Sequence, residues 1–160
     1  MSFSTEIKNE VCSLKLSRVE NISFLSGFVR NNKLEDVNKI SLVTENPKII
    51  RYLYNLFKEI YGVSPLIEKG KSNNFNKNTY YNLVIDNNAN FILKDIMVID
   101  ENNKILDKPK SYLTDTEDLK RAYLRGVFLA CGSINDPKKL GYHMEFFIDN
   151  KSEASFVSNI

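Results

Sequence analysis

Apolar residues recur along this chain with periods of three-to-four and of two, and the alternation sets out a mixed order of helices and strands. Phe3, Ile7, Val11 and Leu14 fall at about helical spacing, with Ser4 read as N-cap and Glu6 in the first turn, where a carboxylate favours the helix dipole. A second helix is expected over about Val19–Asn31, with Ile22, Phe24, Leu25, Phe28 and Val29 apolar and Gly27 inside it. A short extended piece, Leu34–Val37, and a clearer strand, Ile40–Thr44, follow, with Asn38 and Lys39 as the turn between them. Asn46 and Pro47 start a helix whose Ile49, Ile50, Leu53, Leu56, Phe57 and Ile60 give a wide apolar face, and Gly62 ends it. Val63–Lys69 and Tyr80–Ile85 read as strands. Asn88 or Asn90 caps a short helix through Phe91, Ile92, Ile96 and Met97. An irregular connector, Ile99–Leu113, precedes a helix over Glu117–Cys131, for which Thr114, Asp115 and Thr116 are alternative caps. Tyr142–Ile148 reads as a strand and Ser152–Ile160 as a helix.

Two of these helices carry the same layout. Leu25–Lys33 and Leu124–Gly132 each place a Gly two residues after a Leu, then a pair of large apolar residues. Glycine inside a helix costs ~1 kcal/mol relative to Ala. It is tolerated best where another backbone must come close, so Gly27 and Gly126 are expected to let the two helices pack together. A second correspondence supports a duplication: Leu42–Asn46 matches Phe146–Asn150, a strand followed by acid-Asn and a helix. A longer loop at Asp136–Gly141 absorbs the small difference in offset.

The first unit thus reads helix–strand–strand–helix–strand–strand–helix. The second starts the same way but lacks its last two strands and final helix, so the chain is expected to be a fragment or truncated form. The division is an N-terminal helix over 1–20, a first repeat over 21–100, a connector over 101–115 and an incomplete second repeat over 116–160. An edge left without its neighbour is expected to pair with another copy, giving concentration-dependent self-association.

Composition narrows the chemistry. The 160 residues can bury a sizeable core, and 42% hydrophobic with 26% charged residues is an ordinary globular balance. A net charge of +2 is too small to argue for nucleic acid, so a basic footprint must come from local clustering. Cys12, Cys131 and the sole histidine, His143, cannot build a four-ligand zinc site, and no local motif signals a Ser-His-Asp or Cys-His nucleophile. Both cysteines read as small buried apolar residues, and His143 as a surface or satisfied histidine. No metal or cofactor is expected. No stretch approaches the ~20 apolar residues of a membrane span, and the N-terminus lacks a signal-peptide pattern, so a cytoplasmic setting is expected.

The repeated nonapeptide resembles the LAGLIDADG motif of homing endonucleases. The whole chain resembles, more narrowly, the N-terminal part of the WhiA family of bacterial sporulation and cell-division regulators. The residues that carry this are Ser2–Cys12, Thr44–Pro47 and, most specific, Leu124–Pro137. The resemblance implies an α+β, LAGLIDADG homing-endonuclease-like fold of two αββαββα repeats, the second incomplete. In the family such a domain is followed by a helix-turn-helix domain, here absent, and the whole is a nucleoid-associated, DNA-binding transcription factor.

LAGLIDADG endonucleases hold divalent metal with an acidic residue at motif position eight of each helix, because Mg²⁺ is a hard ion bound by carboxylate oxygens. Position eight here is Asn32 and Cys131; position six is Arg30 and Leu129. Neither helix supplies the carboxylate, so the resemblance implies a scaffold that is not an enzyme. Glu35, Asp36 and Asp136 lie close in sequence as possible substitutes.

The relatives place strand loops on DNA. The corresponding loop carries Lys69, Lys71 and Lys77 with Asn73, Asn74, Phe75 and Asn76 interleaved; lysines reach phosphates, and asparagines can read adenine edges. Lys138 and Lys139 form a smaller basic spot. The plain alternative is a solvated loop. The Tyr52/Tyr54 and Tyr80/Tyr81 pairs read as packing residues, one of Tyr80 and Tyr81 facing inward. Three functions stay open: a DNA-binding regulator, a protein or intramolecular docking module, and an active endonuclease.

Overall fold

A computed structural model describes residues 2–34, 36–71, 78–141 and 143–160, with only the backbone of 139 and 140. Local chemistry fixes the helix starts. Helix α1 spans Phe3–Val11; its cap is Ser2, whose hydroxyl accepts from the Thr5 N–H at 3.1 Å. Ser4, read as the cap, lies inside the helix and its hydroxyl accepts from the Ile134 N–H instead. Helix α2 spans Arg18–Arg30 behind a reciprocal capping box of Ser17 and Glu20. Helix α3, Pro47–Tyr61, starts at the Asn46 cap and ends at Gly62 in the left-handed region, φ 67°.

Strand β1 is Ile40–Thr44, β2 is Leu66–Lys71 and β3 is Thr79–Ile85, forming one antiparallel sheet in the order β1–β3–β2. The described residues of Leu34–Val37, expected as extended, lie outside every strand. Asp36 folds them into a turn by accepting from the Asn38 N–H at 2.8 Å. Helix α4 is Ala89–Asp95; Asn88 holds its cap position at φ 63° with no side-chain bond, while the Asn90 amide donates to the carbonyl of Val37 and to Asn103 Oδ1.

The connector is ordered rather than loose. Ile99 bridges Ile105, the Asp100 carboxylate accepts from the N–H groups of Asn102 and Lys104, and the Ser23 hydroxyl donates to the Leu113 carbonyl beside a single 3₁₀ turn, Ser111–Thr114. Helix α5 spans Glu117–Cys131 from the Thr116 cap. Strand β4 (Gly132–Ile134), helix α6 (Pro137–Leu140) and strand β5 (Met144–Phe146) follow, with β4 and β5 paired antiparallel. Neither β4 nor α6 shows in the hydrophobic pattern, because three- and four-residue elements hold no full period. Helix α7, Lys151–Ser158, starts at the Asn150 cap, whose side chain accepts from the Glu153 N–H.

Helices α2 and α5 form the central contact. A Cβ at Gly27 would stand 2.4 Å from the Tyr123 carbonyl oxygen, and one at Gly126 would stand 2.1 Å from that of Phe24. Each bare glycine therefore admits the opposite backbone. Phe24, Phe28, Leu53, Phe57, Leu83 and Ile92 fill the core around this crossing. No helix among the described residues is long and apolar enough to cross a membrane.

Candidate functional site

The carboxyl end of α2 delivers Arg30, Asn31 and Asn32 to one place, and α7 delivers Glu153 to the same place. Arg30 Nε donates to Glu153 Oε1 at 3.2 Å, with the two side chains only 5% and 2% exposed. Burial at this level separates the pair from solvent-screened surface ion pairs. Glu153 Oε2 accepts from the Asn31 amide at 2.9 Å and from the Tyr123 hydroxyl at 2.5 Å. A second Arg30 nitrogen donates to the Leu106 carbonyl at 2.6 Å. Burial first, then the Glu153 charge, pushes the Tyr123 phenol upward, so it stays a donor at any physiological pH.

The two positions that the endonuclease resemblance reserves for carboxylates are both committed to backbone. The Asn32 amide donates to the Val43 carbonyl at 3.0 Å, and its oxygen accepts from the Val43 N–H at 3.1 Å. Asn32 thus completes one rung on the edge of β1 away from β3. Cys131 donates its thiol to the Val127 carbonyl at 3.3 Å, and its own carbonyl accepts from the Phe147 N–H. Among the described residues no group of three or more His, Cys, Asp or Glu side chains is arranged to hold a metal ion. Glu35 lies outside the described residues, Asp36 is used in its turn, and Asp136 caps α6 by accepting from the Lys138 N–H.

Burial pushes the Cys131 thiol up to about 11, and Cys12 likewise to about 11. Both are free and half-buried. A neutral, soft sulfur is a poor ligand for Mg²⁺. Alkylation of the folded chain by iodoacetamide is therefore expected to be slow at pH 8 and to climb only towards pH 11. A rate profile with its midpoint near pH 8.5, the value of an ordinary thiol, would refute this.

Strand register decides where the expected basic residues point. Directly opposed residues share a face of an antiparallel sheet. Ile40, Leu42 and Leu83 define the buried face. Lys69 opposes Tyr81 and Lys71 opposes Thr79, so both lysines belong to that face, at its exposed end. Asn73, Asn74 and Lys77 lie outside the described residues, as does the Lys139 side chain. Lys138 is exposed at the start of α6. His143 bonds to Glu145, both exposed.

The open face of the sheet carries Ser41, Val43, Leu66, Glu68, Tyr80 and Asn82 by the same register. The Ser41 hydroxyl donates to Asn82 Oδ1 at 2.9 Å, and Tyr80 lies across Gly70. Lys33 and Lys39 flank this face in the wall of a cleft of about 350 Å³ with Asp36, Ser41 and Val43. The sequence offers one signal for them: both lysines stand between the motif helix and the first strand.

Two family models match the chain, the WhiA N-terminal LAGLIDADG-like domain over residues 20–99 and the WhiA LAGLIDADG-like domain over residues 120–160. The chain belongs to the WhiA family. A probable cell division protein WhiA from Clostridium novyi is 34% identical over 172 aligned positions, covering 100% of this chain and 54% of the relative. One from Lactobacillus johnsonii is 30% identical over 151, covering 92% of this chain and 48% of the relative. The chain spans about half the length of these curated WhiA relatives. Among solved structures, the N-terminal LAGLIDADG domain of WhiA superposes with a TM-score of 0.74 at 25% identity, covering 99% of this chain and 72% of that one. Full-length WhiA from Thermatoga maritima gives 0.73 at 24%, covering 99% and 49%, a likeness of fold. The α+β, LAGLIDADG-like fold expected from the repeated motif is the fold of the WhiA N-terminal domain.

Proposed function

We propose that this chain is a non-catalytic part of a WhiA-type, DNA-binding regulator of cell division and sporulation, acting in the cytoplasm at the nucleoid. The observation that carries the loss of cleavage is the occupancy of the α2 end. Metal-assisted hydrolysis needs carboxylate oxygens facing a bound ion and its water. Asn32 is instead spent on the Val43 backbone, and Glu153 is neutralised by Arg30. The relatives' printed names speak of cell division, which supports that half of the reading.

DNA contact is assigned to the open face of the sheet. Lys33 and Lys39 offer phosphate contacts and Asn82 an amide, with Tyr80 as an exposed ring. Lys69, Lys71, Lys138 and Lys139 add charge at the periphery, and the affinity is expected to need the rest of the longer protein. A protein-docking reading is favoured by one feature, Phe147 at 75% exposure near Met144 at 53%.

The test is a gel shift at two salt concentrations with a plasmid incubation in Mg²⁺ or Mn²⁺ alongside. Binding is expected to weaken steeply with salt. Lys33→Glu with Lys39→Glu should flatten the salt slope by about two contacts' worth. The plasmid should stay intact. Metal-dependent nicking by pure protein overturns the non-catalytic reading. Unchanged binding by the double variant moves the DNA contact off this face, and the lack of any salt-sensitive shift moves the function to the docking surface.

A further inference from the structure

The corresponding helices α3 and α7 are anchored by opposite chemistry. Ile49 stands three residues after the Asn46 cap of α3, and Glu153 stands three after the Asn150 cap of α7. Leu129 and Arg30 hold the same sixth place in their motif helices. Ile49 of the first repeat and Leu129 of the second are thus both in the apolar core, and their counterparts, Glu153 of the second repeat and Arg30 of the first, form the ion pair. Helix α3 also buries Ile50, Leu53, Leu56 and Phe57, whereas α7 buries Glu153 alone. The remaining ring contact of α7 is Phe156, edge-on to Tyr123 with centroids 5.5 Å apart.

Three donors from outside α7 converge on that single carboxylate: Arg30 Nε, the Asn31 amide and the Tyr123 hydroxyl. Two donors to one oxygen and a guanidinium to the other match the lone-pair pattern of an ionised carboxylate. Clefts of about 210 and 170 Å³ share Arg30, Asn32 and Asn150 in their walls, so solvent approaches the assembly from outside. A helix held by one polar anchor uncovers little apolar surface on leaving, and the donors it strands are satisfied again once another carboxylate takes its place.

We propose that Arg30, Asn31 and Tyr123 form a carboxylate-binding socket, filled in cis by Glu153, from which α7 is displaced by a partner's acidic helix. The partner's chemistry follows from the present occupant: a carboxylate for the socket and an aromatic residue three positions later for the Tyr123 ring. Displacement frees α7 and leaves the α2–α5 crossing in place, because the glycines meet the backbones of Tyr123 and Phe24 whereas the socket binds through side chains.

The experiment uses Glu153→Ala in the full chain and reads its melting temperature in sodium acetate against sodium chloride of equal ionic strength. Acetate is expected to raise Tm saturably by about 4 °C over chloride, and the rise should vanish when Arg30→Leu is added. A peptide of residues 149–160 should act at concentrations about 10-fold lower than acetate, and its Glu→Gln version should not act. Equal melting in acetate and chloride overturns the socket, and a peptide no better than acetate overturns the helical partner. Hydrogen exchange of the wild type keeps the proposal testable should the variant not fold. Amides of α7 should exchange at least about 10-fold faster than those of α2 and α5 through a local opening; exchange of all three together overturns the displacement.

Discussion

Alanine at Gly126 is expected to lower the stability of the fold by about 3 kcal/mol or more. The added carbon would sit 2.1 Å from the Phe24 carbonyl oxygen, 2.9 Å from the Phe28 nitrogen and 3.0 Å from the Phe24 carbonyl carbon. All three are backbone atoms inside α2, so no side-chain rotation relieves the clash. The two helices must separate along their whole contact, and the packing of Phe24, Phe28 and Val127 loosens with them. The helix preference of Ala over Gly works the other way by ~1 kcal/mol, too little to compensate. Gly27→Ala should cost less but stay destabilising, with its nearest backbone atom at 2.4 Å. Gly62→Ala separates space from conformation. Its Cβ meets nothing within 4 Å, but φ is 67°, so it should lose only about 1 kcal/mol. Urea unfolding of the three variants checks the order. A Gly126→Ala protein as stable as wild type would mean that the helices do not meet through their backbones.

Removing one member of the buried ion pair should be as damaging. Glu153→Leu leaves the Arg30 guanidinium, the Asn31 amide and the Tyr123 hydroxyl without their shared acceptor, and a loss of about 3–5 kcal/mol is expected. Arg30→Leu should fall in the same range, because it strands a carboxylate that is 2% exposed. Combining Arg30→Leu, Glu153→Ile and Tyr123→Phe imitates the apolar arrangement at Leu129 and Ile49. Such a protein should recover to within about 2 kcal/mol of wild type; the Leu106 carbonyl still loses a donor, and Asn31 keeps its bond to the Gly27 carbonyl. Thermal unfolding of Arg30→Leu, Glu153→Ile and Tyr123→Phe, singly and combined, gives the coupling energy directly. Strict additivity would show that the three groups do not act as a unit.

Much of the backbone plan was legible because long elements repeat their period. The 13 residues of α2 and the 15 of α3 and α5 each run through several turns, and Asn46, Pro47 and Gly62 mark α3 at both ends. Short elements were not legible: β4 and α6 depend on their neighbours, and Leu34–Val37 looks extended only until Asp36 turns it. Two serines beside Phe3 were equally good caps by residue type, and the choice falls to Ser2 because Ser4 bonds across to Ile134. The ion pair was hidden for another reason. Arg30 and Glu153 lie 123 positions apart, and each alone reads as a solvated charge. The internal duplication held the clue, since opposite charges replace Leu129 and Ile49 at two corresponding places. Facing was likewise closed to sequence reading, because the direction of Lys69 and Lys71 depends on pairing with β3.

Asn32 presents β1 with the donor and acceptor that a neighbouring strand would supply, on the side where no strand lies among the described residues. An aspartate there would still accept from the Val43 N–H, but would set a charged oxygen against the Val43 carbonyl. A carboxylate at this position would thus loosen the sheet before any ion could bind. The amide at this position therefore works as a plug for the edge of β1, and a carboxylate could not take its place at no cost.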